Sequence, residues 1–325
     1  VCTVTVEGDC AISYGNDLVI DSASRIPSDR LRALASGVIG APCTRASLDK
    51  VADRLRQTGV FSAVSVVPKE YGEPLRTIAH IMVVDDAPHE VRARAGSQLV
   101  GQNFEFRRVV YKVGGSWFWK NPTARADTAR IDVDYLRYRR EVQLWYSLPW
   151  ATQNPLKTDI KVYTIRYDQP FVIGSPHVLY EAFQNGMLCS VSGRYDSLWS
   201  CITGGLEFVA IGCISEQRAR ELVFDPRLVN RQIPYAFLEP SALWEQLDNK
   251  IDPAEGYRLL ASCKALLPFD LSRAVCFKAI VESALYKKIG IGSIAVRLRM
   301  GHIFNEDFER VMPIERFYLG GSYSL

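Results

Sequence analysis

The chain has 325 residues, with 39 Lys and Arg against 36 Asp and Glu and a formal net charge of +3. Its basic residues are dispersed rather than gathered into a stripe, so no nucleic-acid partner is expected. With 48% hydrophobic residues it can bury a core. It holds no run of 18 apolar residues for a transmembrane helix, which leaves a soluble protein or one that crosses a membrane with strands.

Up to about residue 87 the pattern is mixed α/β. "CTVTVEG" alternates as a strand does and ends at Gly8. "SDRLRALASGVIGAP" predicts a helix capped by Ser28 and stopped at Gly37. "TRASLDKVADRLRQTG" is the clearest helix: Leu48, Val51 and Leu55 share one face, charges take the other, and Gly59 stands where a C-terminal glycine belongs. "VFSAVSVVP" and "RTIAHIMVVDD" read as two strands around a turn at Gly72–Pro74. Together they make a compact small domain. Its expected edge strands, roughly 61–67 or 75–84, either pair with another chain or simply pack the domain.

Beyond about residue 88 the only further helical pattern is a short one at Glu216–Leu222, and long period-two segments take over. "RIDVDYLRYRR" puts Ile131, Val133 and Tyr135 on one face and Asp132 and Asp134 on the other. "EVQLWYSLPW" sets Val142, Leu144, Tyr146 and Leu148 against Gln143, Trp145 and Ser147. In "RAVCFKAIVESALYKK", Val275, Phe277, Ala279, Val281 and Leu285 oppose Lys278 and Glu282; in "GSIAVRLRMGHI", Ile294, Val296, Leu298 and Met300 alternate with Arg297 and Arg299. Such strands bury one face only, against a second sheet in a soluble sandwich or against lipid in a membrane barrel.

Two features favour the barrel. The segments run to roughly 10–14 residues, against about 5–6 in globular sheets and about 9–11 for a tilted membrane strand. Aromatic residues also gather near expected strand ends (Trp117, Phe118, Trp119; Trp145, Tyr146, Trp150; Tyr163, Tyr167), as an interfacial girdle requires. Eleven strands are predicted, at roughly 89–98, 106–119, 127–137, 140–149, 156–167, 184–195, 199–213, 234–245, 256–266, 273–286 and 291–303. Single-chain bacterial barrels use even numbers, so eleven implies that the barrel is incomplete here.

Little in the chain suggests catalysis. There is no GxSxG, HExxH, Walker A or Rossmann fingerprint, and His80, His89, His177 and His302 are scattered, so no enzyme activity, cofactor or metal is expected. Asp132 and Asp134 read as a solvated strand face rather than an acid–base pair. Eight cysteines form no CxxC; the even spacing of Cys189, Cys201 and Cys213 fits either disulfides between neighbouring strands or unpaired core residues.

The closing "ERFYLGGSYSL" resembles the signature of the outer-membrane assembly and translocation family that includes BamA and TamA, an R-F-x-x-G-G-x-x-S-hydrophobic stretch that leads into an Arg-Gly-aromatic loop tip. Arg316, Phe317, Gly320, Gly321, Ser324 and Leu325 match it, and the tip would follow Leu325. In that family the loop follows the eleventh of sixteen strands. "NKIDPAEGYRLLAS" is similar to the family's acidic-Pro-x-x-Gly hairpin, with Asp252, Pro253 and Gly256 in place. "GVIGAPCTRASLDKVADRLRQTGVFSAVSV" resembles a POTRA domain, the family's βααββ module, through Leu48, Val51 and Leu55 on its second helix and the Gly-x-Phe-x-x-Val of Gly59, Phe61 and Val64.

The resemblance implies the end of a preceding POTRA domain at 1–9, a POTRA domain at 10–87 in the periplasm, and an outer-membrane barrel at 88–325, cut at the loop after its eleventh strand. The implied function is insertion or export of barrel or autotransporter clients through a lateral seam. The first barrel strand (Val91, Ala93, Ala95, Gly96) would form one side of that seam, and the matched loop residues would support a lumenal lock. The implied partners are unfolded outer-membrane clients, the lipid bilayer, and a periplasmic or inner-membrane protein reached through the POTRA domains. The TamA branch is favoured by the "AISYGNDLVI" stretch. A BamA-like general insertase and a two-partner secretion pore are the alternatives, with a passive porin or a soluble sandwich further off.

Overall fold

A computed structural model describes residues 18–20, 24–36, 44–71, 76–102, 105–136, 139–150, 156–171, 178–195, 197–212, 231–249, 253–269, 275–290, 292–305 and 315. The expectations for "CTVTVEG", Gly37, the Gly72–Pro74 turn, the Glu216–Leu222 helix, Asp252, and Arg316 to Leu325 lie outside these residues. The chain divides into two compact units. One comprises Val1–Glu90, Phe118–Arg130 and Tyr146–Thr158; the other comprises Val91–Trp117, Ile131–Trp145 and Asp159–Leu325.

The first unit contains a βααββ arrangement: β1 (Leu18–Ile20), α1 (Ser28–Ala35), α2 (Arg45–Gln57), β2 (Phe61–Tyr71) and β3 (Arg76–Asp85). Ser28 is not the cap of α1. Pro27 holds that position with φ −56° and ψ 143°, and its carbonyl accepts from Arg30 and Leu31 at 3.0 and 3.1 Å. Proline carries no side-chain acceptor, so α1 starts without a side-chain cap, and Ser28 Oγ donates to Asp29 Oδ1 at 3.3 Å instead.

Helix α2 starts with a reciprocal box. Thr44 Oγ1 accepts from the Ser47 amide at 3.3 Å while Ser47 Oγ accepts from the Thr44 amide at 3.0 Å. At its other end Gly59 takes φ +72°, the left-handed region where glycine carries no Cβ penalty.

Leu48, Val51 and Leu55 of α2 and Leu31 and Leu34 of α1 are buried with Val64 of β2 and with Ala79, Ile81 and Val83 of β3; Phe61 packs at the margin. Burying each large aliphatic side chain stabilises by about 1.5–3 kcal/mol, which holds two short helices that would not persist alone.

The sheet order is β1-β3-β2, with β1 parallel and β2 antiparallel to β3. The expectation of an edge strand at 75–84 is therefore corrected. β3 is central because β1 crosses over and pairs with it, leaving β2 and β1 at the edges.

Eleven further strands follow: β4 (His89–Gln102), β5 (Glu105–Lys120), β6 (Thr128–Leu136), β7 (Arg139–Pro149), β8 (Leu156–Phe171), β9 (Val178–Tyr195), β10 (Leu198–Gly212), β11 (Gln232–Leu247), β12 (Gly256–Pro268), β13 (Cys276–Ile289) and β14 (Gly292–Phe304). Each predicted strand appears, within a few residues at most ends. The exceptions are β4 and β8, each four residues longer at its C-terminal end, and β9, six residues longer at its N-terminal end. They form one sheet in strict sequence order from β4 to β14, the meander that alternating segments joined by turns produce. From β9 to β14 every neighbouring pair is antiparallel.

Candidate functional site

Two chemically distinct faces run along the large sheet. On β6, Val133 is 48% exposed while its neighbour Asp132 is 7% exposed. The same inversion holds elsewhere: Val142 and Leu144 of β7, Phe277, Val281 and Leu285 of β13, and Ile294, Val296, Leu298 and Met300 of β14 are exposed. A soluble sandwich would cover this face with a second sheet, and among the described residues none does. An apolar surface of this extent marks contact with lipid or protein. Trp117, Trp119 and Trp150, at or just beyond strand ends, are exposed with it.

Tyr163 and Tyr167 do not belong to that aromatic band. Strand β8 continues to Phe171, so both lie inside it, and they share the parity opposite to exposed Ile160 and Val162. Tyr163 is buried and donates to Glu207; Tyr167 Oη donates to Gln184 Oε1 at 3.3 Å.

Glu207 of β10 is the centre of a buried polar cluster on this second face. It is 4% exposed and accepts from the Tyr163 hydroxyl of β8 and, at 2.5 Å, from the Tyr235 hydroxyl of β11. Lys264 Nζ of β12 lies 3.6 Å from Glu207 Oε2 and 4.7 Å from the centre of the Phe237 ring. The same ammonium donates to Glu315 Oε1 at 2.7 Å, and Lys278 Nζ of β13 donates to Glu315 Oε2 at 3.2 Å. Glycine makes room for the aromatic partners, since a Cβ on Gly186 would come within 2.6 Å of the Tyr163 ring. A second cluster on β4–β6 joins Arg94 Nη2 to Asp134 Oδ1 at 3.2 Å and to Asp132 Oδ1 at 3.8 Å, with the Ser116 hydroxyl donating to Asp132. Both aspartates face one guanidinium, an arrangement that suits a structural role.

Within the first unit, the β5–β6 and β7–β8 turns meet helix α1. Arg30 Nε donates to the Arg125 carbonyl at 3.3 Å and Nη2 to the Pro149 carbonyl at 2.6 Å. Buried Asp127 organises the β5–β6 turn, accepting from the Thr123 amide at 3.2 Å, from Thr123 Oγ1 at 2.9 Å and from the Tyr146 hydroxyl at 2.8 Å. Ala126 of this turn joins the helix core with no exposure at all. Lys120 Nζ reaches Asp86 Oδ2 at 2.5 Å and Glu90 Oε2 at 2.6 Å. The Lys120 bond, with the Ala87 amide, holds the Asp86 carboxyl below the usual carboxylate range.

Sequence reasoning missed Asp248 in the β11–β12 hairpin. Its Oδ1 accepts from the amides of Asn249, Ala254 and Glu255 at 2.8, 3.1 and 3.1 Å, which lowers its pKa, Glu255 first. Gly256 follows at φ +125°, where a Cβ would sit 2.1 Å from the Gln246 carbonyl. The Asp-rich stretch before a Gly was the available signal.

Val91 is 77% exposed, Ala93, Ala95 and Gly96 are exposed with it, and β4 stands at one end of the strand order. Nothing lies within 4 Å of a Cβ added to Gly96, so no close packing demands glycine there.

The disulfide option fails for Cys189 and Cys201. In the β9–β10 register Cys189 opposes Gly204 and Cys201 opposes Ser192. Partners in that hairpin sum to 393, so residues an even number apart point to opposite faces, Cys189 exposed and Cys201 buried. No group of three or more His, Cys, Asp and Glu among the described residues is arranged to hold a metal.

No family model and no curated protein matches the sequence. Solved structures do. BamA from Haemophilus ducreyi, in a form lacking POTRA domains 1–3, superposes with a TM-score of 0.67 at 14% identity, over 97% of this chain and 59% of that one. CdiB from Acinetobacter baumannii superposes with a TM-score of 0.60 at 17% identity, over 96% of this chain and 56% of that one. The chain thus spans less than two thirds of either structure, and its eleven-stranded sheet has the fold of part of a BamA-like barrel.

Proposed function

We propose that this chain belongs to the outer-membrane assembly and translocation family that includes BamA and TamA, and that it inserts or exports barrel or autotransporter clients. The observation that carries this reading is the exposed apolar row on an eleven-stranded sheet preceded by a βααββ module, in a fold shared with BamA. The βααββ module is read as a POTRA domain in the periplasm, at 10–87, following the end of another at 1–9, and the sheet as an outer-membrane barrel at 88–325. Its partners would be unfolded outer-membrane clients, lipid, and a periplasmic or inner-membrane protein.

On this reading β4, through Val91, Ala93, Ala95 and Gly96, supplies one side of a lateral seam. An unpaired strand in a membrane is costly and templates an incoming strand by backbone pairing. The same reading takes Arg316, Phe317, Gly320, Gly321, Ser324 and Leu325 as the loop signature. The TamA-like specialist is the favoured branch; the likeness to CdiB supports a secretion pore as the second reading.

Depletion of the full-length protein, followed by quantitation of every outer-membrane protein, tests the assignment. A selective fall in a few exported proteins supports the TamA-like role, and a fall in all barrels with loss of viability the general insertase. A loss confined to one secreted partner supports the pore. No change in any of them overturns the assignment.

A further inference from the structure

We infer that the apolar face of β12, β13 and β14 carries a seat for one anionic phospholipid, with an acyl chain in a hollow over Ser283 and the phosphate at Lys287. The inference rests on the outer-membrane reading above and concerns a lipid that stays with the sheet, not a client. Register sets Trp244 of β11, Leu259 of β12, Ser283 of β13 and Leu298 of β14 opposite one another in a single row. The next row toward the β13–β14 turn is Tyr257, Leu285 and Val296. Ser283 is the one small side chain in these two rows. Around it Tyr257, Leu259, Leu285, Val296 and Leu298 line an open hollow of about 370 Å³, within the range of about 300–1,000 Å³ that ligand clefts span.

Charge at the turn end selects the lipid. Along β13 the apolar face reads Val281, Ser283, Leu285 and then Lys287, which puts an ammonium on the lipid side at the strand's end. Lys287 is exposed and has no acidic partner among the described residues. Arg297 and Arg299, on the opposite face of β14, lie 2.9 and 3.9 Å from Glu282. The cation left to this face is therefore matched by an anionic headgroup. Ser283 and Lys287 are four positions apart, about 13 Å of strand and about 9 Å of depth at a tilt of about 45°. One leaflet of the hydrocarbon core is about 15 Å deep, so a chain hung from a phosphate at Lys287 passes the hollow within its own leaflet. Trp244 and Tyr257, packed edge to face at 5.6 Å, form the aromatic border beside it.

The test extracts the full-length protein from vesicles of equal phosphatidylcholine and phosphatidylglycerol, and native mass spectrometry counts the lipids it retains. The parent is expected to keep one phosphatidylglycerol in about fivefold preference to phosphatidylcholine, the weight of one lysine at an anionic headgroup. Lys287→Gln is expected to abolish that preference. Ser283→Leu, which fills the hollow, is expected to lower retention of both lipids, while Ala279→Leu on the same face of β13 leaves it at the parental level. Equal retention of the two lipids by the parent overturns the seat, as does a preference that survives Lys287→Gln. Parental retention in Ser283→Leu overturns it too, and so does a retained polypeptide in place of lipid. Should Ser283→Leu fail to insert, Lys287→Gln at the strand end carries the test by itself. Heat-dependent gel mobility of the same samples keeps the two readings apart. A folded, inserted protein without lipid preference overturns the seat alone; a full-length protein that enters no vesicle overturns the outer-membrane reading and the seat with it.

Discussion

Arg30 Nη2 of helix α1 donates to the carbonyl of Pro149, 119 residues away, at 2.6 Å. The same guanidinium reaches the Arg125 carbonyl, so one side chain ties a helix to two strand-connecting turns. A planar fork with several donors suits two carbonyls better than an ammonium does. Arg30→Ala should destabilise the first unit by about 1.5–3 kcal/mol, the range for hydrogen bonds from a charged group. Hydrogen exchange checks it: the Thr123 and Ala126 amides, whose acceptors Asp127 and Asn121 lie in the tethered turn, should lose protection while helix α2 keeps it.

Asp86 predicts an acid limit for the junction before β4. Its carboxyl titrates below the usual range because Lys120 bonds the charged form, so it stabilises the fold above the ordinary carboxylate pKa of about 3.9. That contribution fades as pH falls through the lower folded value. Thermal unfolding of Asp86→Asn against the parent should therefore show a gap at pH 7 that closes as pH falls below the ordinary carboxylate pKa of about 3.9. A gap that widens on acidification would contradict the sign.

Glu207 depends on its two tyrosines. Tyr235→Phe keeps the ring and removes one donor from a buried carboxylate, and should cost about 1–3 kcal/mol. Tyr163→Phe removes the other. Because both act on one group, the double variant should depart from the sum of the singles, as denaturant midpoints on all three proteins would show.

The strands were legible because period two and long amphipathic runs are local properties, and helix α2 because Leu48, Val51, Leu55 and Gly59 declare a face and an end. What escaped was decided by pairing. Whether 75–84 is an edge depends on β1 crossing to it, which no property of β3 itself encodes. The Cys189–Cys201 geometry follows from whether hairpin partners sum to an odd or an even number, which a one-residue change in the turn would reverse. Glu207, Lys264 and Glu315 come together over 108 residues of sequence, and only the parity of Glu207 and Lys264 on the non-apolar face of their strands could have hinted at it.

The apolar face offers the most direct check on the membrane reading. Leu144 sits near the middle of β7 and is 48% exposed, with Val142 exposed on the same face. If lipid covers this face, Leu144→Arg places a guanidinium close to the bilayer centre, where the penalty on a barrel is about 2–4 kcal/mol. If water covers it, the same change is a surface substitution and shifts stability by about 0.5 kcal/mol or less. Refolding of the full-length protein into lipid vesicles, followed by denaturant titration, separates the two. A drop of the larger size, and a smaller one for an arginine placed at Trp150 beyond the end of β7, gives the depth dependence that only a bilayer imposes.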